Sequence, residues 1–379
     1  MKKIRVLQVQ DYPPFEGGGL EINTFRVSKA LEKYGVKAKI ATGRFTSETY
    51  NSLGGMGEIV KNGILACKVT SPDQLSSLIL DSDIVDIQFT FSCRPVAMEA
   101  MRLCSEIGKD FIVTVHTLAE HIPFSAIGEL SEFEKRSKLD ELVGYLSCEK
   151  AIICGVSRAT LETLSEVGVS NKKVKIINYG TAYETFEEEG LNSHEIDTVD
   201  LTYVGEISYL KGINYLLDAM RNLKSKYKSI RLRLIGGGAD FQDMQRLTEV
   251  LDLRENVLFE GYVEHGVVGQ YLKKTKLYVQ PSLSESWCMS LAEAIVMKVP
   301  SIATDAGGMV ELTADGEFAE IVPKADASNL AKAIEKAISD NEFYEKLGAK
   351  AACGSEFIRN TYTLENQAKE KLNLYKKLL

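Results

Sequence analysis

No run of about 18 apolar residues occurs in the 379-residue chain, so no transmembrane helix is expected. The opening stretch MKKIRVLQVQD is basic at first but lacks the long apolar core of a secretory signal, which points to the cytoplasm. Seven cysteines are scattered with no CxxC pair and no regular spacing. An odd, irregular set argues against a disulfide framework and for a reducing compartment. Basic charge is also in short supply: 45 Lys and Arg against 53 Asp and Glu leave a formal net charge of −8. That balance excludes the broad positive face that nucleic-acid binding requires. One basic cluster, Arg221, Lys224, Lys226, Lys228, Arg231 and Arg233, reads as a solvated helix end and strand edge. A peripheral contact with anionic lipid is the alternative for it. No short repeat or low-complexity tract is present.

Apolar residues at 45% and charged residues at 26% are ordinary for a globular chain, and the length suits two domains. Short Ile- and Val-rich runs alternate with helical patterns. Strands are predicted at Ile4–Val9, Val36–Thr42, Ile64–Val69, Ile84–Phe89, Phe111–Val115, Ala151–Val156 and Val174–Ile177, with a helix over Glu21–Tyr34. Repeated β-then-α units of this kind form a parallel sheet covered on both faces. The acidic stretch Glu184–Asp200 interrupts the pattern as an interdomain connection would. A second cycle follows at Leu201–Val204, Leu232–Ile235, Val257–Phe259, Leu277–Val279, Ser301–Ala303 and Ala319–Val322. The expectation is an α/β protein of two Rossmann-like halves, 1–190 and 191–360. A last helix is expected over Thr361–Leu379.

The segment with most chemical content is PSLSESWCMSLAEAIVMKVPSIATDAGG, Pro281–Gly308. Glu285 follows a strand and a Ser-rich turn; Glu293 lies inside the next helix. A helix opening near Cys288 directs free backbone N–H groups and its positive dipole end at an anion. Glu293 would stand about one turn, roughly 5 Å, further in. Carboxylates suit sugar and ribose hydroxyls because each oxygen accepts several hydrogen bonds. Two isolated glutamates would read as a helix cap and a solvated helix residue; it is the whole 28-residue stretch that calls for more.

This stretch closely resembles the signature of family-4 glycosyltransferases, retaining enzymes of the GT-B fold. In that family a Glu, Gly-Phe-Gly and a second Glu-Ala precede a Gly-Pro turn, a short strand and a Gly-Gly pair. Here Ser286, Trp287 and Cys288 replace Gly-Phe-Gly, and Lys298 stands where the family usually has Gly. VGEISYLKGINYLLDA, Val204–Ala219, resembles the family segment in which Lys-Gly opens a helix, matched by Lys211 and Gly212. Gly205 keeps the preceding glycine, but the family's Arg is Glu206. DYPPFEGGGLE, Asp11–Glu21, resembles the glycine-rich entry loop and offers Gly18 and Gly19 to the donor. FIVTVHT, Phe111–Thr117, carries His116 at the strand end, where catalytic groups of open α/β sheets gather. His121 is a weaker candidate, and His194 and His265 read as loop residues. LIGGGAD, with Gly237, resembles the family's glycine-rich turn under the nucleotide, and FEGYV, with Tyr262 and Val263 at its end, resembles the stretch that meets the base; LIGGGAD is not a GxGxxG dinucleotide fingerprint. Ser157 and Arg158, then Asn178, Gly180 and Phe186, are supporting matches, with Ala182 in place of the family's Asp.

The resemblance covers the whole chain. It implies GT-B architecture: two facing Rossmann-like domains, an interdomain cleft, and a C-terminal helix crossing back to the N-terminal domain. Donor binding would fall to the C-terminal half and acceptor binding to the N-terminal half. It implies transfer of a sugar from a nucleotide diphosphate to an acceptor hydroxyl with retention. Glu285, His116 and Lys211 are the implied catalytic residues. Gly18, Gly19, Gly205, Glu206, Lys211, Gly237, Tyr262, Val263, Glu285, Trp287, Cys288, Met289, Ser290 and Glu293 are the implied donor contacts. No metal and no cofactor beyond the donor is expected. Asp81–Ser82–Asp83, the metal motif of a different glycosyltransferase fold, reads instead as a helix C-cap and turn. A GT-B epimerase, a glycan phosphorylase and a catalytically inactive nucleotide-sugar-binding protein are the competing readings.

Overall fold

The computed structural model describes residues 3–11, 19–43, 58–61, 63–90, 95–118, 132–181 and 196–379. The chain divides into two compact units, Met1–Gly180 with Leu364–Leu379, and Thr181–Thr363. The boundary expected near 190 lies outside the described residues.

The first unit runs β1 (Ile4–Gln10), α1 (Gly19–Glu32), β2 (Val36–Thr42), β3 (Glu58–Lys61), β4 (Ile64–Lys68), α2 (Pro72–Asp81) and β5 (Ile84–Phe89). It continues with α3 (Pro95–Ile107), β6 (Phe111–Val115), α4 (Glu132–Ser147), β7 (Ala151–Gly155), α5 (Arg158–Glu166) and β8 (Val174–Ile176). Its eight-stranded sheet has the order β3-β4-β2-β1-β5-β6-β7-β8, parallel except for the antiparallel pair β3 and β4. Every residue of β5, β6 and β7 is buried, as continuous apolar runs require when helices cover both faces. Local signals set the helix ends. Ser71 accepts the Gln74 N–H at 3.2 Å and Pro72 opens α2, the usual pairing of a cap with an N1 proline. At the other end Ser82 is the C-cap, and Arg5 on β1 holds Asp81 at 2.8 Å and Asp83 at 3.0 Å. The Asp-x-Asp stretch is therefore tied up by an arginine.

The second unit runs β9 (Val199–Val204), α6 (Ile213–Lys224), β10 (Leu232–Ile235), α7 (Phe241–Val250), β11 (Val257–Gly261), α8 (His265–Lys273) and β12 (Thr275–Gln280). It ends with α9 (Met289–Val296), β13 (Ser301–Thr304), α10 (Gly308–Leu312), β14 (Glu320–Val322), α11 (Ala327–Ser339) and α12 (Asn341–Thr361). The six strands pair in parallel in the order β11-β10-β9-β12-β13-β14. β9 starts two residues earlier than expected because Val199 pairs with Thr275 across the ladder. The basic cluster is not a free positive face. Arg233 is buried against Glu260, and Lys224 and Lys226 pair with Asp252 and Glu335.

The last helix, α13 (Leu364–Leu378), belongs to the first unit. It opens three residues later than expected, because Thr361 closes α12 and Thr363 bridges to Thr181. Ala368, Leu372 and Tyr375 pack with Val27 and Leu31 of α1 and Val6 of β1. Asn23 and Gln367 exchange amide hydrogen bonds at 3.2 and 3.0 Å, and Gln367 also accepts the Gly180 N–H. No described helix is long and apolar enough to cross a membrane.

Two glycines inside α12 separate helix propensity from packing. A Cβ at Gly348 meets nothing within 4 Å, whereas one at Gly354 falls 2.6 Å from Phe318 Cβ and 2.7 Å from Ile295 Cγ2. Gly348→Ala is expected to stabilise by about 1 kcal/mol, and Gly354→Ala to destabilise by about 1–2 kcal/mol through overpacking. Denaturant midpoints of the two variants check the opposite signs.

Candidate active site

In the second unit, the turn after β9 and the loop after β12 meet. Tyr209–Lys211 forms one 3₁₀ turn, closed by Gly212 in the left-handed region at φ 66°. Any Cβ at Gly212 would lie 2.0 Å from the Pro281 carbonyl oxygen, so only glycine allows this approach. The Leu283 N–H donates to the Leu210 carbonyl at 2.9 Å and locks the two loops together. The result is an ion pair: Lys211 Nζ lies 2.7 Å from Glu285 Oε1. Ser282 Oγ donates to the same oxygen at 3.0 Å, and Gln280 Nε2 donates to Ser282 in turn. Burial alone would lower the Lys211 pKa, but the Glu285 carboxylate outweighs it and holds the ammonium above the usual lysine value.

Beyond Glu285 the loop enters α9. Cys288 is the N-cap at φ 75°, ψ 80°, and no side-chain cap bond closes the helix start. Met289 and Ser290 follow as half-buried first-turn residues, so their backbone N–H groups stand at the positive end of the helix. Burial pushes the Cys288 thiol well above its ordinary pKa, leaving it a neutral side chain. Trp287 turns inward. Its side chain is fully buried and meets Tyr362 edge-on, with ring centroids 4.7 Å apart. It anchors the loop in the core of this unit. Glu293 is buried on α9, and His265 Nε2 lies 2.8 Å from its Oε1. His265 is accordingly not a loop residue: it opens α8 and aims at a candidate site residue.

The glycine turn after β10 packs on the end of β9. A Cβ at Gly236 would lie 1.9 Å from the Gly205 carbonyl oxygen, whereas Gly237 faces open space. The Gly236 N–H donates to the Gly261 carbonyl at 2.7 Å, which draws the turn to the end of β11. Tyr262, just beyond, is 85% exposed, and Val263 is half-buried. Glu206 is exposed; its backbone carbonyl accepts the Tyr203 hydroxyl at 2.8 Å. Lys211 pairs with Glu285, and Glu206 adds only its charge in support.

In the first unit, His116 follows β6 and is buried. Its Nε2 lies 2.9 Å from Gln88 Oε1, and its Nδ1 contacts the Tyr179 hydroxyl, with the two rings stacked at 17°. Gly19 opens α1 in open space; Gly18, His121, His194, Ala182 and Phe186 lie outside the described residues. Sequence reasoning missed Gln88, Tyr179, Ser282 and His265. A glutamine within an apolar strand such as IVDIQF was the available signal for the first.

Comparison with known proteins agrees with this geometry. Residues 187–352 match the family model of glycosyl transferases group 1. The chain is 28% identical over 169 residues to alpha-D-kanosaminyltransferase of Streptomyces kanamyceticus, covering 45% of this chain and 43% of that enzyme. An uncharacterized glycosyltransferase of Methanocaldococcus jannaschii is 23% identical, with 97% of this chain and 96% of that protein covered. The Anabaena HepE structure in complex with UDP and glucose superposes with a TM-score of 0.76 at 14% identity, covering 99% of this chain and 100% of that one. Fold and matched segment together define a glycosyltransferase of the GT-B class. Within that class, residues 187–352 carry the likeness to the glycosyl transferases group 1.

Lys211→Met leaves the Glu285 carboxylate buried and unpaired, and is expected to cost about 2–3 kcal/mol at neutral pH. The folded-state lysine pKa is raised, so the wild-type advantage is full at neutral pH and shrinks as pH climbs through the lysine range. Denaturant melts of both proteins across alkaline pH check the size and the sign.

Proposed function

We propose that this chain is a metal-independent, retaining transferase that takes a sugar from a nucleotide diphosphate, most simply UDP, and passes it to an acceptor hydroxyl in glycan or glycosylated-metabolite synthesis. The 2.7 Å Lys211–Glu285 contact carries the reading. A cation suited to a diphosphate and a carboxylate suited to a sugar stand together where the bond joining those two groups must lie. The diphosphate rests on the backbone N–H groups of Met289 and Ser290 and on Lys211. Glu293, oriented by His265, accepts the ribose hydroxyls. Gly205, Gly237, Tyr262 and Val263 line the nucleotide. His116 is assigned to the transferred sugar by the resemblance of its strand end. UDP is favoured because the Anabaena relative was solved with UDP and glucose. A cytoplasmic setting is supported by the absence of any disulfide among the described cysteines.

In the reaction, the anomeric carbon–oxygen bond to the diphosphate breaks as the acceptor oxygen bonds to that carbon from the same face. The acceptor proton passes to the leaving phosphate oxygen, so atoms and charge balance. Lys211 and the helix start stabilise the growing charge on the nucleotide, and Glu285 stabilises the oxocarbenium-like sugar.

Glu285→Gln keeps the shape and removes the charge. It is expected to lower kcat by at least about a hundredfold while UDP still raises the melting temperature as in the wild type. EDTA should leave turnover unchanged. Wild-type turnover by Glu285→Gln, or complete loss with EDTA, would contradict the assignment. A thermal-shift screen of nucleotides and nucleotide sugars identifies the base.

A further inference from the structure

The first unit buries a continuous set of polar side chains behind His116, and the last helix of the chain supplies one end of it. Asp86, fully buried on β5, is the fixed point, because an ionised carboxylate only accepts hydrogen bonds. Lys371 Nζ and the Tyr375 hydroxyl, both on α13, donate to Asp86 Oδ2 at 2.8 and 2.7 Å. Thr114 Oγ1 and Gln88 Nε2 donate to Oδ1, each at 2.9 Å. Burial alone would raise the Asp86 pKa; the Lys371 charge and these hydrogen bonds outweigh it and leave the carboxyl below its ordinary value.

The remaining directions follow. Gln88 commits its amide nitrogen to Asp86 and, at 2.7 Å, to Gln8 Oε1. Its carbonyl oxygen is thereby turned to His116 Nε2, 2.9 Å away. A carbonyl oxygen only accepts, so Nε2 is the nitrogen that carries the proton. On the other side of the ring, burial keeps the Tyr179 phenol protonated, so its hydroxyl donates to Nδ1.

We propose that Lys371, Asp86 and Gln88 are positioning residues that fix His116 as the neutral Nε2–H tautomer, so that Nδ1 serves only as a hydrogen-bond acceptor for a hydroxyl. The consequence for transfer rests on the reading of His116 as a residue of the sugar site. A sugar hydroxyl meets Nδ1 only by displacing the Tyr179 hydroxyl from its single lone pair, and it then donates its hydrogen as Tyr179 does, whereas an ether or carbonyl oxygen in the same place is rejected. The C-terminal helix, remote in sequence from His116, thus sets the chemical character of that histidine through two intervening side chains.

Nitrogen-15 NMR of histidine-labelled full-length protein reads the tautomer directly. The chain has four histidines, and His116→Gln assigns the signals of interest. In the wild type at neutral pH, Nε2 should carry the proton and Nδ1 should be unprotonated. Gln88→Leu and Lys371→Met should populate the other tautomer or the imidazolium, while Lys371→Arg keeps the wild-type pattern. In the same two variants kcat should fall about tenfold with the donor KM within about twofold, as expected for loss of orientation at one polar contact. A proton on Nδ1 in the wild type overturns the proposal. So does a folded Gln88→Leu that keeps both the wild-type tautomer and the wild-type kcat. If Lys371→Met does not fold, Gln88→Leu decides alone, because it leaves the Asp86–Lys371 pair intact. His116→Ala separates the two ideas: wild-type kcat there removes the functional reading of His116, while the nitrogen spectrum still judges the relay.

Discussion

A lysine ammonium and a glutamate carboxylate held 2.7 Å apart, both largely out of water, impose demands on everything around them. Neither group tolerates burial without the other, since an unpaired buried charge costs several times what the pair contributes. The two residues come from different crossovers of the second sheet, so their meeting requires two loops to approach at backbone distance. Gly212 makes that approach possible by presenting no Cβ to the Pro281 carbonyl, and the Leu283–Leu210 hydrogen bond holds it. Ser282 and Gln280 then fix the carboxylate from behind. The position of β9 beside β12 at the centre of the sheet is what brings these loops to the same end, the place where open parallel sheets bind ligands.

The first unit solves a similar problem with different parts. Asp86 sits in the middle of a strand whose every residue is buried, a position that would ordinarily hold Val or Ile. It is tolerable there because α13 brings Lys371 and Tyr375 to it. This gives the last helix two distinct jobs: its apolar side packs with α1, while its polar residues neutralise a charge inside the sheet. Replacing such a pair by hydrophobic residues is often harmless to stability, and this one stands behind Gln88, which in turn meets His116.

Much of this was legible in the sequence because parallel strands write themselves as Ile- and Val-rich runs. Val36–Thr42, Ile84–Phe89, Phe111–Val115 and Leu232–Ile235 were bounded correctly to the residue. β3 was not anticipated, since a four-residue edge strand lacks a sustained apolar run. The helix expected to open near Cys288 starts at Met289, with Cys288 as its N-cap. What could not be read were side-chain directions that depend on distant partners. The inward turn of the Trp287 side chain depends on Tyr362, 75 residues on. His265 looked like a loop residue because its partner, Glu293, lies across a crossover. The bonding of His116 was invisible because it depends on Gln88, Tyr179 and, through Asp86 and Gln88, Lys371.

The replaced glycines show which features of the donor loop are fixed by backbone and which by side chain. Cys288 and Lys298 stand where the resembled signature has glycine, and both keep the left-handed conformation, at φ 75° and 58°. A non-glycine residue there carries roughly 1 kcal/mol of strain, so the surroundings must hold the loop more firmly than local preference does. At Cys288 they do. Trp287 on one side is packed against Tyr362, and the Glu285 carbonyl on the other accepts the Gly308 N–H at 2.8 Å. The helix start needs the left-handed turn to point its N–H groups outward, and the chain retains the turn although the residue best suited to it has gone. Anchoring by a buried tryptophan thus stands in for the conformational freedom of glycine. Glu285 lies two residues from that anchor and is paired with Lys211.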